Sequence, residues 1–137
     1  MELIFVDTAA LIALGNKHDD LYQKARIIQK QLAAQSTQFI TSNFVIAEYC
    51  NAFSSVKLRP IAIATVESIL ASPSWQYIHI EKQQMQQSFT LYTKMTDKNW
   101  GLVDCSSIIL AKQHNIRQIF TSDHHFEQAG FQILLNN

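Results

Sequence analysis

Short apolar runs, each followed by a helix-forming stretch, constrain this chain more than any other feature. The first, Leu3-Ile4-Phe5-Val6, is too brief for a buried helix and reads as a buried strand. Residues 8–14 are rich in Ala, Leu and Ile and read as a helix, which Gly15-Asn16 ends. A second helix opens at Asp19-Asp20 and reaches about Ala34, with Leu21, Ala25, Ile28 and Leu32 on one face. Gln38-Phe39-Ile40-Thr41 is the next strand. Ser42 or Asn43 caps the helix after it, and Pro60 begins another, where a missing N–H is harmless. Ser72-Pro73-Ser74 breaks that helix, and Trp75 to Ile80 alternates like a strand. Met85, Phe89 and Tyr92 mark a helix from about Glu81 to Met95, and a polar loop leads to another from about Leu102 to His114. Strands at residues 117–121 and 132–135 complete the series. Strands alternating with helices predict βαβ units and a mostly parallel sheet. In such sheets ligands bind beyond the carboxyl ends of the strands.

At 137 residues the chain is expected to form a single domain, 1–137. Eleven basic residues balance eleven acidic ones, so the formal charge is zero. That excludes a strongly basic nucleic-acid binder and makes any nucleic-acid contact local. Cys50 and Cys105 both sit in apolar helical patterns and read as buried free thiols of a cytosolic protein rather than a disulfide. The amino-terminal run lacks a basic region and is interrupted by Asp7, so it does not read as a signal peptide. No stretch approaches the roughly 18 apolar residues of a membrane span. A soluble, cytoplasmic protein with no membrane contact is expected.

Four acids stand in apolar surroundings. Asp7 follows the first strand and Asp123 follows Ile119-Phe120-Thr121-Ser122, so parallel strands bring both to one edge of the sheet. Glu48 lies in Phe44-Val45-Ile46-Ala47-Glu48-Tyr49-Cys50, apolar in nearly every direction, and is expected to be cut off from water and in need of a partner. Asp104 lies in the first turn of an apolar helix. Each also has a plain structural reading. Asp7 suits a helix cap, Asp104 the helix dipole, Glu48 a core ion pair and Asp123 a turn. If the four converge, their repulsion requires cations. Oxygen ligands select Mg²⁺ or Mn²⁺ over zinc. Such a centre suits phosphodiester hydrolysis, one ion acidifying an attacking water and a second, about 4 Å away, stabilising the leaving oxygen. The sequence has no Cys/His cluster, no Gly-rich phosphate loop and no Gly-x-Ser-x-Gly.

These residues resemble the PIN-domain nucleases, and among them the small VapC-like toxins of toxin–antitoxin pairs. The matching segments are Phe5-Val6-Asp7-Thr8, Ile46-Ala47-Glu48, Trp100-Gly101-Leu102-Val103-Asp104-Cys105 and the ending Thr121-Ser122-Asp123-His124-His125-Phe126-Glu127-Gln128-Ala129-Gly130-Phe131. The last two are the specific ones. The resemblance implies a three-layer α/β/α fold with a short, mostly parallel sheet. It implies an endoribonuclease dependent on Mg²⁺ or Mn²⁺, with Asp7, Glu48, Asp104 and Asp123 as catalytic and metal-binding acids. Thr8 then orients the first acid or a water. The resemblance further implies a homodimer silenced by a cognate antitoxin. Ser106-Ser107, after Asp104, departs from many relatives and reads as harmless.

For RNA contact, Lys98 is the best candidate among Lys57, Arg59, Lys94, Lys98 and Lys112, because its loop enters the Asp104 helix. His125 reads as an RNA-phosphate contact or a support for Asp123, and equally as a plain surface or turn histidine. Asp97 reads as a solvated loop acid, and Trp100 as packing rather than stacking. Two other functions compete. A phosphate-receiving signalling module also places acids at strand ends, but it needs its acceptor Asp after a middle strand and a Lys after a late one. Here the mid-chain acid is Glu48, inside a helix, and Asp123 follows the late strand. A non-catalytic RNA-binding or scaffolding PIN domain would be favoured by loss of an acid, and all four are present.

Overall fold

A computed structural model describes residues 2–136. The chain runs β1 (Leu3–Val6), α1 (Thr8–Gly15), α2 (Tyr22–Ala34), β2 (Gln38–Ser42), α3 (Asn43–Ala52), α4 (Arg59–Ala71), β3 (Trp75–Ile78), α5 (Lys82–Lys94), α6 (Leu102–Gln113), β4 (Gln118–Phe120), α7 (His125–Gln128) and β5 (Gln132–Ile133). The five strands form one sheet in the order β3-β2-β1-β4-β5, and every pairing is parallel.

That order fixes the layers. The chain steps outward from β1 to β2 to β3, then crosses back to β4 on the other side of β1. Right-handed crossovers therefore place α1–α4 on one face and α5–α7 on the other. The helix contacts agree: α1 touches α2, α3 and α4, whereas α5 packs along α6. The result is an α/β/α sandwich. Its central strand, β1, buries Ile4, Phe5 and Val6 completely, together with Ile119 and Phe120 of β4. The direction of the strand order reverses between β1 and β4, and there the sheet splits into a crevice at its carboxyl edge.

Several boundaries differ from the sequence reading for local reasons. β3 stops at Ile78 because the Asn43 side chain replaces a strand partner: it accepts the Ile80 N–H at 2.7 Å and donates to the Ile80 carbonyl at 3.4 Å. Ser42, rather than Asn43, caps α3, accepting the Val45 N–H. The short α7 was not anticipated. Its closing Gly130 takes φ +98°, a left-handed exit that an L side chain resists, and the Phe131 N–H returns to the Phe126 carbonyl. This gives the Asp123, Phe126, Gly130, Phe131 pattern its geometry.

Two expectations about α3 are corrected. Its buried stripe is narrow, Val45, Tyr49 and then Phe53, four residues apart, and so Glu48 and Cys50 on the other side are exposed. Neither a buried Glu48 nor a buried Cys50 survives. Cys105 is buried, and both thiols are free.

Gly15 ends α1 against the Tyr49–Phe53 ring pair. A Cβ there would lie 2.8 Å from the Phe53 ring and 2.9 Å from the Tyr49 hydroxyl. Gly15→Ala is expected to cost about 1–3 kcal/mol through overpacking, read as a lower urea midpoint with unchanged slope.

Candidate active site

The carboxyl edge at the β1–β4 crevice carries the acids. Asp7 is the first residue after β1, and its N–H pairs with the Phe120 carbonyl, continuing the β1–β4 ladder. Its side chain is buried, 3% exposed. Asp123 follows β4. α6 runs back against the strands, so its first turn, with Asp104, reaches the same edge. α7 starts there with His125.

Each of these three acids has one oxygen engaged by the protein. Asp7 Oδ2 accepts the Thr121 hydroxyl at 2.8 Å. Asp104 Oδ2 accepts the Gly101 N–H at 3.1 Å, which completes the cap of α6. Asp123 Oδ1 accepts the His125 N–H at 2.9 Å, opening α7. The His125 ring spans the last two: Nδ1 lies 3.0 Å from Asp104 Oδ2 and 3.3 Å from Asp123 Oδ1. Carboxylates accept only, so Nδ1 carries the hydrogen. The structural readings of Asp104 and Asp123 are thus true, and they leave the other oxygens untouched. Among the described residues no donor reaches Asp104 Oδ1 or Asp123 Oδ2. Asp7 Oδ1 is buried and has no hydrogen-bond partner among the described residues.

The charge is equally unbalanced. Among the described residues no Lys or Arg pairs with Asp7, Glu48, Asp104 or Asp123; the ion pairs to these acids come from His125 alone. Burial raises the Asp7 pKa to about 7, with repulsion from Asp104 and Glu48 adding to it and the Thr121 hydroxyl and Thr8 N–H opposing it. Burial, then Asp104, also raises the Cys105 thiol. One ligand atom from each of Asp104, Asp123 and His125 lies within 4.8 Å of the others. The carboxylates of Asp104 and Asp123, held by the His125 ring, and the orphaned buried oxygen of Asp7 are an all-oxygen set that a hard divalent cation fits.

The structure therefore brings Asp104, Asp123 and His125 together and places Asp7 beside them. Glu48 stands apart as an exposed acid on α3, close enough to raise the Asp7 pKa. Thr8 Oγ1 is buried without a hydrogen-bond partner, and only its backbone reaches Asp7. The hydroxyl that holds Asp7 is that of Thr121, which also accepts the Asp123 N–H at 3.1 Å and so ties the first acid to the last. The sequence reading missed it, although its signal was present: a hydroxyl at the end of a strand, two residues before an acid. Lys98 pairs at 3.5 Å with Asp97, whose side chain is 73% exposed. His124 turns away to Glu127. Trp100 is buried and its indole N–H donates to Gln128 Oε1 at 2.8 Å, fastening the loop to α7. Lys57, Arg59, Lys94 and Lys112 are exposed.

Residues 4–132 match the PIN domain family model. The chain belongs to the PIN-domain family. Its relatives include the 23S rRNA-specific endonuclease VapC20 of Mycobacterium tuberculosis, 24% identical over 94% of this chain and 95% of that protein. Ribonuclease VapC26 of the same species is 23% identical over 90% of this PIN domain and 89% of its own length. The crystal structure of VapC20, described as a Sarcin-Ricin loop cleaving toxin, superposes with a TM-score of 0.81 and 26% identity over 93% of this chain and 95% of that one. VapBC2 from Rickettsia felis, bound to a promoter DNA fragment, shares the fold at a TM-score of 0.68 and 18% identity, covering 96% of each chain.

Proposed function

We propose that this PIN domain is a metal-dependent endoribonuclease, the toxin of a toxin–antitoxin pair, and that Asp7, Asp104 and Asp123 hold Mg²⁺ or Mn²⁺. The observation that carries this reading is the buried, unpartnered Asp7 Oδ1 beside two further acids, with no Lys or Arg in the described residues to neutralise them. A bound divalent cation supplies an acidified water and charge for the leaving oxygen. The chain's own residues do the rest. Thr121 fixes Asp7 and the backbone at Asp123, Gly101 and His125 fix the rotamer of Asp104, and each acid presents its remaining oxygen. Glu48, exposed on α3 and near enough to repel the Asp7 charge, is assigned to a further cation or an attacking water. Thr8 is assigned a supporting role toward Asp7.

A ribonuclease relative and toxin–antitoxin neighbours support an RNA substrate and a protein antitoxin. An apolar groove between α1, α2 and α4, lined by Leu14, Tyr22, Leu58 and Ile61, supports a protein partner too. Ile63 and Leu70 of α4 are also exposed and fit pairing with a second copy or with the antitoxin. No helix of the described residues is long and apolar enough to cross a membrane, which accords with a cytoplasmic RNA target.

The deciding experiment is incubation of total cellular RNA with the protein in Mg²⁺ or Mn²⁺, and in EDTA. Discrete fragments that require metal are expected, and their ends identify the target. No cleavage with metal bound supports instead the binding-only PIN domain. No cleavage and no metal binding overturns the metal centre. His125 has its own outcome. His125→Ala is expected to weaken Mn²⁺ binding by about 10- to 100-fold, since it removes the support of two carboxylates. His125→Asn, whose amide N–H replaces Nδ1–H, should recover most of it. Calorimetry reads both, and an alanine variant that binds like the wild type removes His125 from the centre.

A further inference from the structure

Between α5 and the loop into α6 lies an open groove of about 710 Å³. One wall is fixed: Trp100 is buried and bonded to Gln128. Gly101 lines it too, and the Gly101 N–H donates to Asp104, so the groove adjoins the first turn of α6. Tyr92 lines it and is 47% exposed. One turn earlier Phe89 is 54% exposed and stacks against Tyr92 at 6.2 Å between ring centroids. Lys98 lines the groove as well, and among the described residues its ammonium is tethered only by a weak, exposed pair with Asp97. The Asn99 side chain, also on the groove, makes no hydrogen bond to any described residue.

An exposed aromatic residue, a loosely held cation and a free amide line one groove, next to the turn that holds Asp104. We propose that this groove seats one unpaired nucleotide flanking the scissile bond, its base on Tyr92, its phosphate at Lys98 and its base edge at Asn99. The inference rests on the ribonuclease reading and deepens it by naming the residues that seat a nucleotide beside the cut. Stacking on a protein ring requires a base already out of its helix, so a single-stranded or looped RNA fits and a continuous duplex does not. A second protein subunit suits the site less well, because covering it would bury the Lys98 charge and leave the Asn99 amide to find partners.

The test uses a fluorescein-labelled ten-nucleotide single-stranded RNA of mixed sequence and the corresponding duplex, in EDTA so that neither is cut. Binding is read by anisotropy. Tyr92→Ala is expected to weaken the single strand by about 5- to 100-fold, the usual range for one stacked base. Tyr92→Phe, which keeps the ring, should stay within about twofold. Lys98→Ala should weaken binding and flatten its salt dependence by about one phosphate. The duplex should bind more weakly and ignore Tyr92→Ala. Single-strand binding by Tyr92→Ala within twofold of wild type overturns the proposal. So does a fall in mass from dimer to monomer by light scattering, which would make the aromatic face a subunit contact. Wild-type cleavage of cellular RNA in Mn²⁺ is run alongside. If the wild type cuts and Tyr92→Ala binds normally, the groove alone is wrong. If the wild type neither cuts nor binds RNA, the ribonuclease reading falls with it.

Discussion

Metal-free Asp7→Asn is expected to be more stable than the wild type at pH 8 by about 2–4 kcal/mol, and by less than about 1 kcal/mol at pH 4. Burial holds the Asp7 pKa at about 7 against an ordinary 3.8, with Asp104 and Glu48 repelling the charge as well. Between those values the folded protein keeps a proton that the unfolded chain has released. Stability therefore falls as pH rises through this window, and the full deficit is present above pH 7. Asparagine is neutral in both states and still accepts the Thr121 hydroxyl, so it avoids the deficit. Saturating Mg²⁺ or Mn²⁺ should raise the wild type and narrow the gap, because a cation compensates the buried carboxylate. Urea denaturation at the two pH values, with and without metal, measures all of this. A stability difference that does not change with pH would mean that Asp7 is not a strained buried acid. The same substitution removes a proposed metal ligand, so stability and cleavage should move in opposite directions.

The sheet was legible because its strands are short apolar runs punctuated by Gly, Pro, Ser and Asn, and each run lies between helical stretches. The crevice acids were legible for a related reason. Asp7 ends an apolar strand and Asp104 interrupts an apolar helix, and burial of either demands an explanation. Glu48 shows the limit of that argument. α3 is apolar around most of its circumference, yet the sandwich covers only the Val45–Tyr49–Phe53 stripe. The amount of a helix that a sheet covers is a tertiary quantity that helix composition does not contain. Thr121 and Tyr92 escaped notice for another reason. Each is an ordinary residue for its element, a strand-end hydroxyl and a helical aromatic. What sets them apart lies across the fold: for Thr121, Asp7, 114 positions away in sequence, and for the role proposed for Tyr92, the loop at Lys98.

Asp104→Asn should abolish metal-dependent RNA cleavage, by on the order of a thousandfold or more, while leaving the fold intact. The two consequences separate because the carboxylate does two jobs with different oxygens. Oδ2 caps α6 through the Gly101 N–H and receives His125 Nδ1–H. Asparagine's carbonyl oxygen can take both bonds, so far-ultraviolet circular dichroism and the urea midpoint should remain near those of the wild type. Oδ1 is the oxygen left without a protein donor, and the amide nitrogen that replaces it is a donor with no charge, which repels a cation. Loss of Mn²⁺ binding by calorimetry should therefore accompany the loss of cleavage. A variant that keeps its fold and its metal but not its activity would move Asp104 from holding the cation to acting on the substrate. A variant that keeps its activity would remove it from the centre, and with it the reading that the β1–β4 crevice is where RNA is cut.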